Sequence, residues 1–143
     1  MTERDMVNAV AARLKDAGAV AAIGVPFMAR CIDLVVFRED EIHAIEFKLK
    51  DWRRGIVQAR DHLLGADYAY VCLPTREPSE ALLAACEESG VGLLMFDPEE
   101  TEPFQEQASA VRSEEIWDPG RAWLREAALA NMQNGEHDES PGF

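Results

Sequence analysis

Two strand-like runs separated by a polar turn dominate the first half of the chain. Residues Cys31 to Phe37 and Ile42 to Leu49 are rich in aliphatic side chains, and the turn from Arg38 to Glu41 contains only charged residues. This pattern predicts an antiparallel hairpin whose strands are largely buried. Three charged residues interrupt the apolar runs, where a buried strand normally holds aliphatic side chains: Asp33, Glu46 and Lys48.

The spacing of these charges favours a single pocket. Side chains alternate across a strand, so Glu46 and Lys48 share a face and lie about 6 to 7 Å apart. Because a short turn makes the two runs antiparallel neighbours, Asp33 can reach the same edge if the register allows it. The hairpin is therefore expected to bring two carboxylates and one ammonium group together.

This set of groups suits the hydrolysis of phosphodiesters. Two carboxylates with open coordination positions suit Mg²⁺, which keeps several waters and is completed by substrate phosphate. A lysine beside them can orient a water molecule and help to deprotonate it, while the metal stabilises charge on the phosphate. The expected cofactor is Mg²⁺, with Mn²⁺ as a substitute.

The same residues carry a resemblance to a known family. Asp33, twelve intervening residues, the triplet Glu46-Phe47-Lys48 and a following helix with Gln58 resemble the PD-(D/E)xK superfamily of restriction-endonuclease-like nucleases. Residue 32 is Ile where the name of the motif has Pro. The resemblance covers about residues 1–74. It implies an α/β fold with a restriction-endonuclease-like core, in which a mixed central β-sheet is flanked by helices on both faces.

The resemblance also implies roles for individual residues. The family aspartate and glutamate bind the metal, and the family lysine acts on the attacking water. Carried over to this chain, the metal ligands are Asp33, Glu46, the carbonyl of Phe47 and Glu3 of the first helix. The implied catalytic residues are Asp33, Glu46, Lys48 and Gln58. Two assignments stay open, because Glu3 is also a first-turn acid favoured by the helix dipole and Gln58 is also an ordinary amide on a helix flank.

The charge distribution differs between the two halves of the chain. The chain has 143 residues and a net charge of −13, yet residues 1–76 hold eleven acidic and eleven basic side chains. Residues 77–143 hold sixteen acidic side chains against three arginines, which fits either a highly solvated surface or a partner-binding face. Nucleic-acid binding normally needs a basic surface. Basic residues near the motif are expected to contact backbone phosphates or, alternatively, to form an ordinary solvated surface: Lys50, Arg53, Arg54 and Arg60.

Length and composition indicate one domain. The chain is 48% hydrophobic, long enough to bury a core and without an apolar stretch of about 18 residues. Its N-terminus lacks the order of a signal peptide, so a cytoplasmic protein without a membrane segment is expected. The predicted organisation is a nuclease-like core over residues 1–97, an acidic extension with a terminal helix over residues 98–130, and a disordered tail over residues 131–143. The three cysteines, which lack CxxC spacing, are predicted to be reduced and mostly buried: Cys31, Cys72 and Cys86.

Hydrophobic periodicity and capping residues predict the other elements. They are a helix from Thr2 to Ala17, an edge strand from Val20 to Val25, a helix from Asp51 or Trp52 to Leu64, a strand from Tyr68 to Leu73, a helix from Pro78 to Ser89 and a last strand from Val91 to Phe96. The strand from Tyr68 follows a helical crossover, so it is expected to run parallel to the motif strand.

Three functional hypotheses follow from the sequence. The first is a metal-dependent nuclease that acts on nucleic acid, most simply DNA, in repair, recombination or restriction, as a homodimer or with a partner protein. The second is a non-catalytic binding or regulatory module of the same fold within a larger complex. The third is an unrelated α/β domain in which Asp33, Glu46 and Lys48 form a buried ionic cluster that fixes strand register.

Overall fold

The computed structural model describes residues 1–74, 77–99 and 104–138, which contain four helices and a six-stranded mixed sheet. The elements in chain order are α1 (Glu3–Asp16), β1 (Val20–Phe27), β2 (Arg30–Arg38), β3 (Glu41–Phe47), α2 (Trp52–His62), β4 (Tyr68–Leu73), α3 (Glu80–Ser89), β5 (Gly92–Phe96), β6 (Phe104–Ala108) and α4 (Asp118–Asp138). Within the described ranges, no helix is both long and apolar enough to cross a membrane.

The six strands lie side by side in chain order. Strands β1, β2 and β3 form an antiparallel meander, and only Glu39 and Asp40 separate β2 from β3. Helices α2 and α3 carry the chain across the sheet, so β3, β4 and β5 are parallel. The predicted hairpin and the predicted parallel pairing of β4 with the motif strand are both confirmed.

Helices cover both faces of the sheet, as predicted. Helix α1 begins with a capping box between Thr2 and Asp5 and buries Val7, Val10 and Leu14 on one face. Helices α2 and α3 pack over β4 and β5 on the opposite face, and α4 packs beside them over β1. The face that carries Ala44 and Glu46 is therefore the face that α2 covers.

Helix α2 is positioned by its own sequence. The Asp51 carboxylate accepts the backbone N–H of Arg54 at 3.2 Å and caps the first turn. Ile56, Ala59 and Leu63, spaced three and four residues apart, are buried against the sheet. This packing fixes the rotation of α2, and with it the direction of every other side chain on the helix.

Part of the segment predicted as an acidic extension, Phe104–Ala108, belongs to the sheet. The prediction that β5 is the last strand was wrong, because β6 pairs with β5 in antiparallel fashion. Phe104 packs into the core on the α1 face, whereas Gln105 and Glu106 are exposed. A short strand with exposed polar residues is typical of a sheet edge.

Helix α4 is longer than predicted. The sequence predicts a helix from Arg121 to Ala130 and a disordered tail from residue 131, whereas the helix continues to Asp138. Leu124 on the inner face of the helix is fully buried, and the side-chain amide of Asn131 donates a hydrogen bond to the carbonyl of Ile23. This contact holds the helix to β1 beyond the predicted end. The last part of the predicted tail, residues 139–143, lies outside the described residues.

One cysteine also differs from expectation. Cys72 and Cys86 are buried as predicted, but Cys31 is exposed near the start of β2. Burial raises the pKa of the Cys86 thiol to about 11, so this thiol stays protonated at neutral pH. Cys31 is exposed because the start of β2 lies beyond its pairing with β3.

Asp67 ties the C-terminal segment to the start of β3. Its carboxylate accepts the backbone N–H of Ile42 at 2.7 Å and lies 2.6 Å from the guanidinium of Arg121. Burial alone would raise the pKa of Asp67, but the hydrogen bonds from Arg121 and Ile42 outweigh burial and lower it. Asp67 is therefore a buried, ionised group whose partners come from two distant parts of the chain.

Replacing Asp67 with Asn is expected to lower the free energy of unfolding by about 2 to 4 kcal/mol, because Arg121 loses its buried counter-ion. Asp61→Asn is the control, since Asp61 is exposed and 3.6 Å from Arg30, and should cost less than about 1 kcal/mol. Urea unfolding at pH 7 measures both. Equal stability of the two variants would contradict the role of Asp67.

Candidate active site

The candidate site lies where two strands separate. Pairing between β2 and β3 extends from Arg38 opposite Glu41 to Leu34 opposite Ile45, whereas β2 stays paired with β1 as far as Arg30. Beyond Leu34, a side chain replaces the backbone pairing. Oδ2 of Asp33 accepts the backbone N–H of Phe47 at 2.8 Å. A carboxylate thus satisfies a backbone donor that the adjacent strand leaves unpaired.

This arrangement brings Asp33 to Glu46. The register that pairs Leu34 with Ile45 puts Asp33 opposite Glu46, which is 4% exposed. Burial, together with the neighbouring Glu46 carboxylate, raises the pKa of Asp33 to about 7, although the Phe47 N–H and the Lys48 ammonium act in the opposite direction. The negative charge on one carboxylate therefore makes ionisation of the other less favourable.

Lys48 lies at the same end of the sheet. Its backbone N–H donates to the carbonyl of Cys72 at 3.0 Å, so the chain continues alongside β4 for one residue after β3 ends. Its side chain runs beneath Gly55 of α2, where an added Cβ would lie 2.9 Å from Lys48 Cγ and 2.9 Å from Val71 Cγ2. The glycine allows α2 to approach the sheet closely enough to enclose the lysine stem. The charge of the lysine ammonium acts on Asp33, which lies opposite Glu46, and a common pocket for the three motif residues stays a prediction.

His62 joins this group and was not assigned a role from sequence. Its Nε2 lies 2.6 Å from Oε1 of Glu46, and the two side chains are only 2% and 5% exposed. An ionised carboxylate only accepts hydrogen bonds, so Nε2 carries the proton when Glu46 is ionised. The sequence feature that could have assigned His62 to the site is its four-residue spacing from Gln58, which puts both side chains on one flank of α2.

A cleft of about 390 Å³ opens beside Glu46, and neither Asp33 nor Lys48 lines it. Glu46 and His62 line it together with Gln58, whose Oε1 is buried without a hydrogen-bond partner. The other lining residues are Arg30, Cys31, Arg54 and Val57. The predicted contribution of Gln58 and Arg54 to one site is therefore compatible with their positions.

The other predicted residues lie around the site rather than inside it. Glu3 is half-buried, and its Oε2 accepts the backbone N–H of Leu49 at 3.1 Å, so it contacts the segment just after the motif. Lys50 lines a second, smaller cleft of about 240 Å³ that also includes Trp52. Arg53 stacks its guanidinium 4.2 Å from the centre of the Trp52 ring. The role of Glu3 as a ligand stays a prediction.

Arg60 is exposed on α2. Together with Lys50, Arg53 and Arg54 it places positive charge on and next to α2, on the side of the sheet that carries Glu46. The distribution fits contacts with a phosphate backbone, and it also fits ordinary solvated side chains. The roles of these four residues stay predictions.

The donor set fits a hard divalent cation with limited protein ligation. Among the described residues, no three His, Cys, Asp or Glu side chains form a group that could hold a metal ion. Two adjacent carboxylates are present, one of them with a raised pKa, and a cation between them would relieve their repulsion. Mg²⁺ often takes only one or two carboxylates and completes its shell with water and phosphate. Asp33 and Glu46 fit that pattern.

Comparisons with protein-family models, with curated proteins and with solved structures give no match. The chemistry of this site is inferred from its own residues.

The raised pKa of Asp33 predicts how stability changes with pH. The group titrates near 3.8 in the unfolded chain and near 7 in the fold, so the folded protein binds the proton more tightly. Stability is therefore lost as the pH rises from about 4 to 7. Asp33→Asn keeps the acceptor for Phe47 N–H but cannot ionise. It should be more stable than the parent at pH 8, by about 1 to 2 kcal/mol given partial solvent access, and gain much less at pH 4.

Urea unfolding in the presence of a chelator measures this difference. Asp61→Asn is the control, because an exposed aspartate should show a similar small difference at both pH values. A stability difference between Asp33→Asn and the parent that is the same at pH 4 and pH 8 would contradict the account of the carboxylate pair.

Gly55→Ala tests the close approach of α2. The added Cβ would overlap Lys48 and the fully buried Val71, and overpacking of this kind costs about 1 to 3 kcal/mol. The cost should exceed the gain of about 1 kcal/mol in helix propensity, so the variant should unfold at lower urea. Val57→Ala, at an exposed position of the same helix, should change little. A stabilised Gly55→Ala protein would show that α2 can move freely away from β3.

Proposed function

We propose that this chain is a metal-dependent nuclease of the PD-(D/E)xK type, with a restriction-endonuclease-like core, which hydrolyses phosphodiester bonds in nucleic acid. The observation that carries the proposal is the convergence of Asp33, Glu46 and Lys48 where β2 and β3 separate. A mixed sheet with helices on both faces is compatible with such a core.

Each residue has a distinct part in the proposed reaction. Asp33, Glu46 and the carbonyl of Phe47 would hold Mg²⁺, for which Mn²⁺ can substitute, and the cation would stabilise negative charge on the phosphate. The charge of the Lys48 ammonium acts on Asp33, and in the proposed reaction this ammonium orients the attacking water and assists its deprotonation. Its enclosed stem limits the positions that the ammonium can take.

The substrate side of the proposal rests on charge. The guanidinium groups of Arg30 and Arg54, which line the cleft, can contact phosphates. The side-chain amide of Gln58 can form a hydrogen bond with the substrate or with the attacking water. The acidic C-terminal half offers little attraction for a polyanion, so a few phosphate contacts near α2 would carry binding. DNA is the proposed substrate, acted on in repair, recombination or restriction, by a homodimer or with a partner protein. A cytoplasmic location is part of the proposal.

The Lys48→Met protein tests the proposal directly. Cleavage of supercoiled plasmid, single-stranded DNA, a four-way junction and structured RNA is measured with Mg²⁺ or Mn²⁺. The parent is expected to cut at least one substrate, and Lys48→Met should be slower by about 10² to 10⁴-fold because proton transfer is unassisted. Lys15→Met is the matched control, since Lys15 is exposed in the last turn of α1 and has no part in the proposed site. Equal rates for the parent and Lys48→Met would remove Lys48 from the mechanism.

A binding or regulatory module is the second candidate function. The specific observation in its favour is that each carboxylate already has a protein partner, the Phe47 N–H for Asp33 and His62 for Glu46. Titration calorimetry with Mg²⁺ separates the two candidates. The nuclease requires divalent-ion binding that Asp33→Asn weakens, whereas no binding to the parent, and no cleavage by it, would favour the module.

A further inference from the structure

We propose that His62 is a positioning residue for Glu46, which leaves that carboxylate a single oxygen for a divalent cation. The inference rests on the proposed function, because it concerns how the same site presents its ligands. It assigns a role to a residue that lies outside the motif and on a different element.

The first support is the geometry of the contact. Nε2 of His62 lies 2.6 Å from Oε1 of Glu46, within hydrogen-bond distance, and both side chains are almost completely removed from solvent. A buried pair of this kind contributes little net stability after desolvation. Its clear physical effect is to fix the rotation of the carboxylate, so that Oε2 is the oxygen left for other ligands.

The second support is that Asp33 is constrained in a similar way. Oδ2 of Asp33 accepts the Phe47 N–H, which leaves Oδ1 for other ligands. Each carboxyl group thus has one hydrogen-bond partner elsewhere in the protein, and the two groups also form a side-chain hydrogen bond with each other, which a bound cation would replace. Outer groups that orient metal ligands in this manner typically change metal affinity or activity by about 10 to 100-fold when they are removed.

The third support is that the position of His62 is itself fixed. The carbonyl of His62 accepts the N–H groups of Gly65 and Ala66 at 3.0 and 2.9 Å, which closes the end of α2. The next two carbonyls are held by the C-terminal segment, Leu63 by the Ser113 hydroxyl at 2.7 Å and Leu64 by the Trp117 N–H at 2.9 Å. The acidic C-terminal half thereby braces the helix end that carries the histidine.

Three substitutions separate positioning from packing. His62→Gln can place an amide N–H near the position of Nε2, whereas His62→Asn is too short to reach Glu46, and His62→Leu fills the space without a donor. We expect His62→Gln to stay within about threefold of the parent in Mg²⁺ affinity and in kcat. His62→Asn and His62→Leu should lose about 10 to 100-fold in Mg²⁺ affinity, measured by calorimetry.

His43→Leu is the matched control. His43 is also buried and also hydrogen-bonded, to the hydroxyl of Tyr70 at 2.9 Å, but it lies near the opposite end of β3. Its loss should lower stability and leave Mg²⁺ affinity within about twofold of the parent. An equal loss of affinity in His43→Leu would mean that the effect at His62 is general loosening of the fold, which would overturn the inference.

A spectroscopic measurement gives a readout independent of activity. In a long-range ¹H–¹⁵N spectrum of the parent, Nε2 of His62 should carry a proton, and this proton should remain after saturation with Mg²⁺. A spectrum in which Nε2 lacks a proton would overturn the inference.

Failure of the inference can be told from failure of the proposed function. If the parent binds Mg²⁺ and cleaves nucleic acid while His62→Asn and His62→Leu match it, the inference alone is overturned. If the parent neither binds Mg²⁺ nor cleaves any substrate, the proposed function is overturned, and the inference with it.

Discussion

The hydrogen bond from the Phe47 N–H to the Asp33 carboxylate is the contact on which the site depends. It lies where β2 stops pairing with β3, and it replaces a backbone acceptor with a charged side chain. This side-chain hydrogen bond holds Asp33 beside Glu46, where the two poorly solvated carboxylates repel each other. A fold optimised only for stability would place apolar residues at these positions, so the arrangement points to a functional requirement.

The rest of the structure holds this pair of mutually repelling carboxylates in place. Helix α2 covers the carboxylates, and Gly55 lets it come close enough to enclose the stem of Lys48. The end of α2 is held by the segment that leads into α4, and Asp67 ties that segment to the start of β3. Part of the acidic extension predicted over residues 98–130 is thus part of the scaffold that holds the site.

Local pattern was enough to predict most of the elements and the position of Asp33 opposite Glu46. A two-residue connection fixes the register of β2 against β3, and strand alternation then fixes which side chains share a face. The contact between His62 and Glu46 depends on the rotation of α2 and its distance from the sheet, which sequence spacing does not specify. Strand β6 was missed because the edge of β5, rather than any apolar alternation of its own, determines its pairing.

A crystal soaked in Mn²⁺ and measured at a wavelength that gives anomalous signal from manganese would test the central claim most directly. One strong anomalous peak is expected between the carboxyl groups of Asp33 and Glu46, within coordination distance of one oxygen from each. A peak elsewhere with none at this position, or no peak at a Mn²⁺ concentration that supports cleavage, would contradict it.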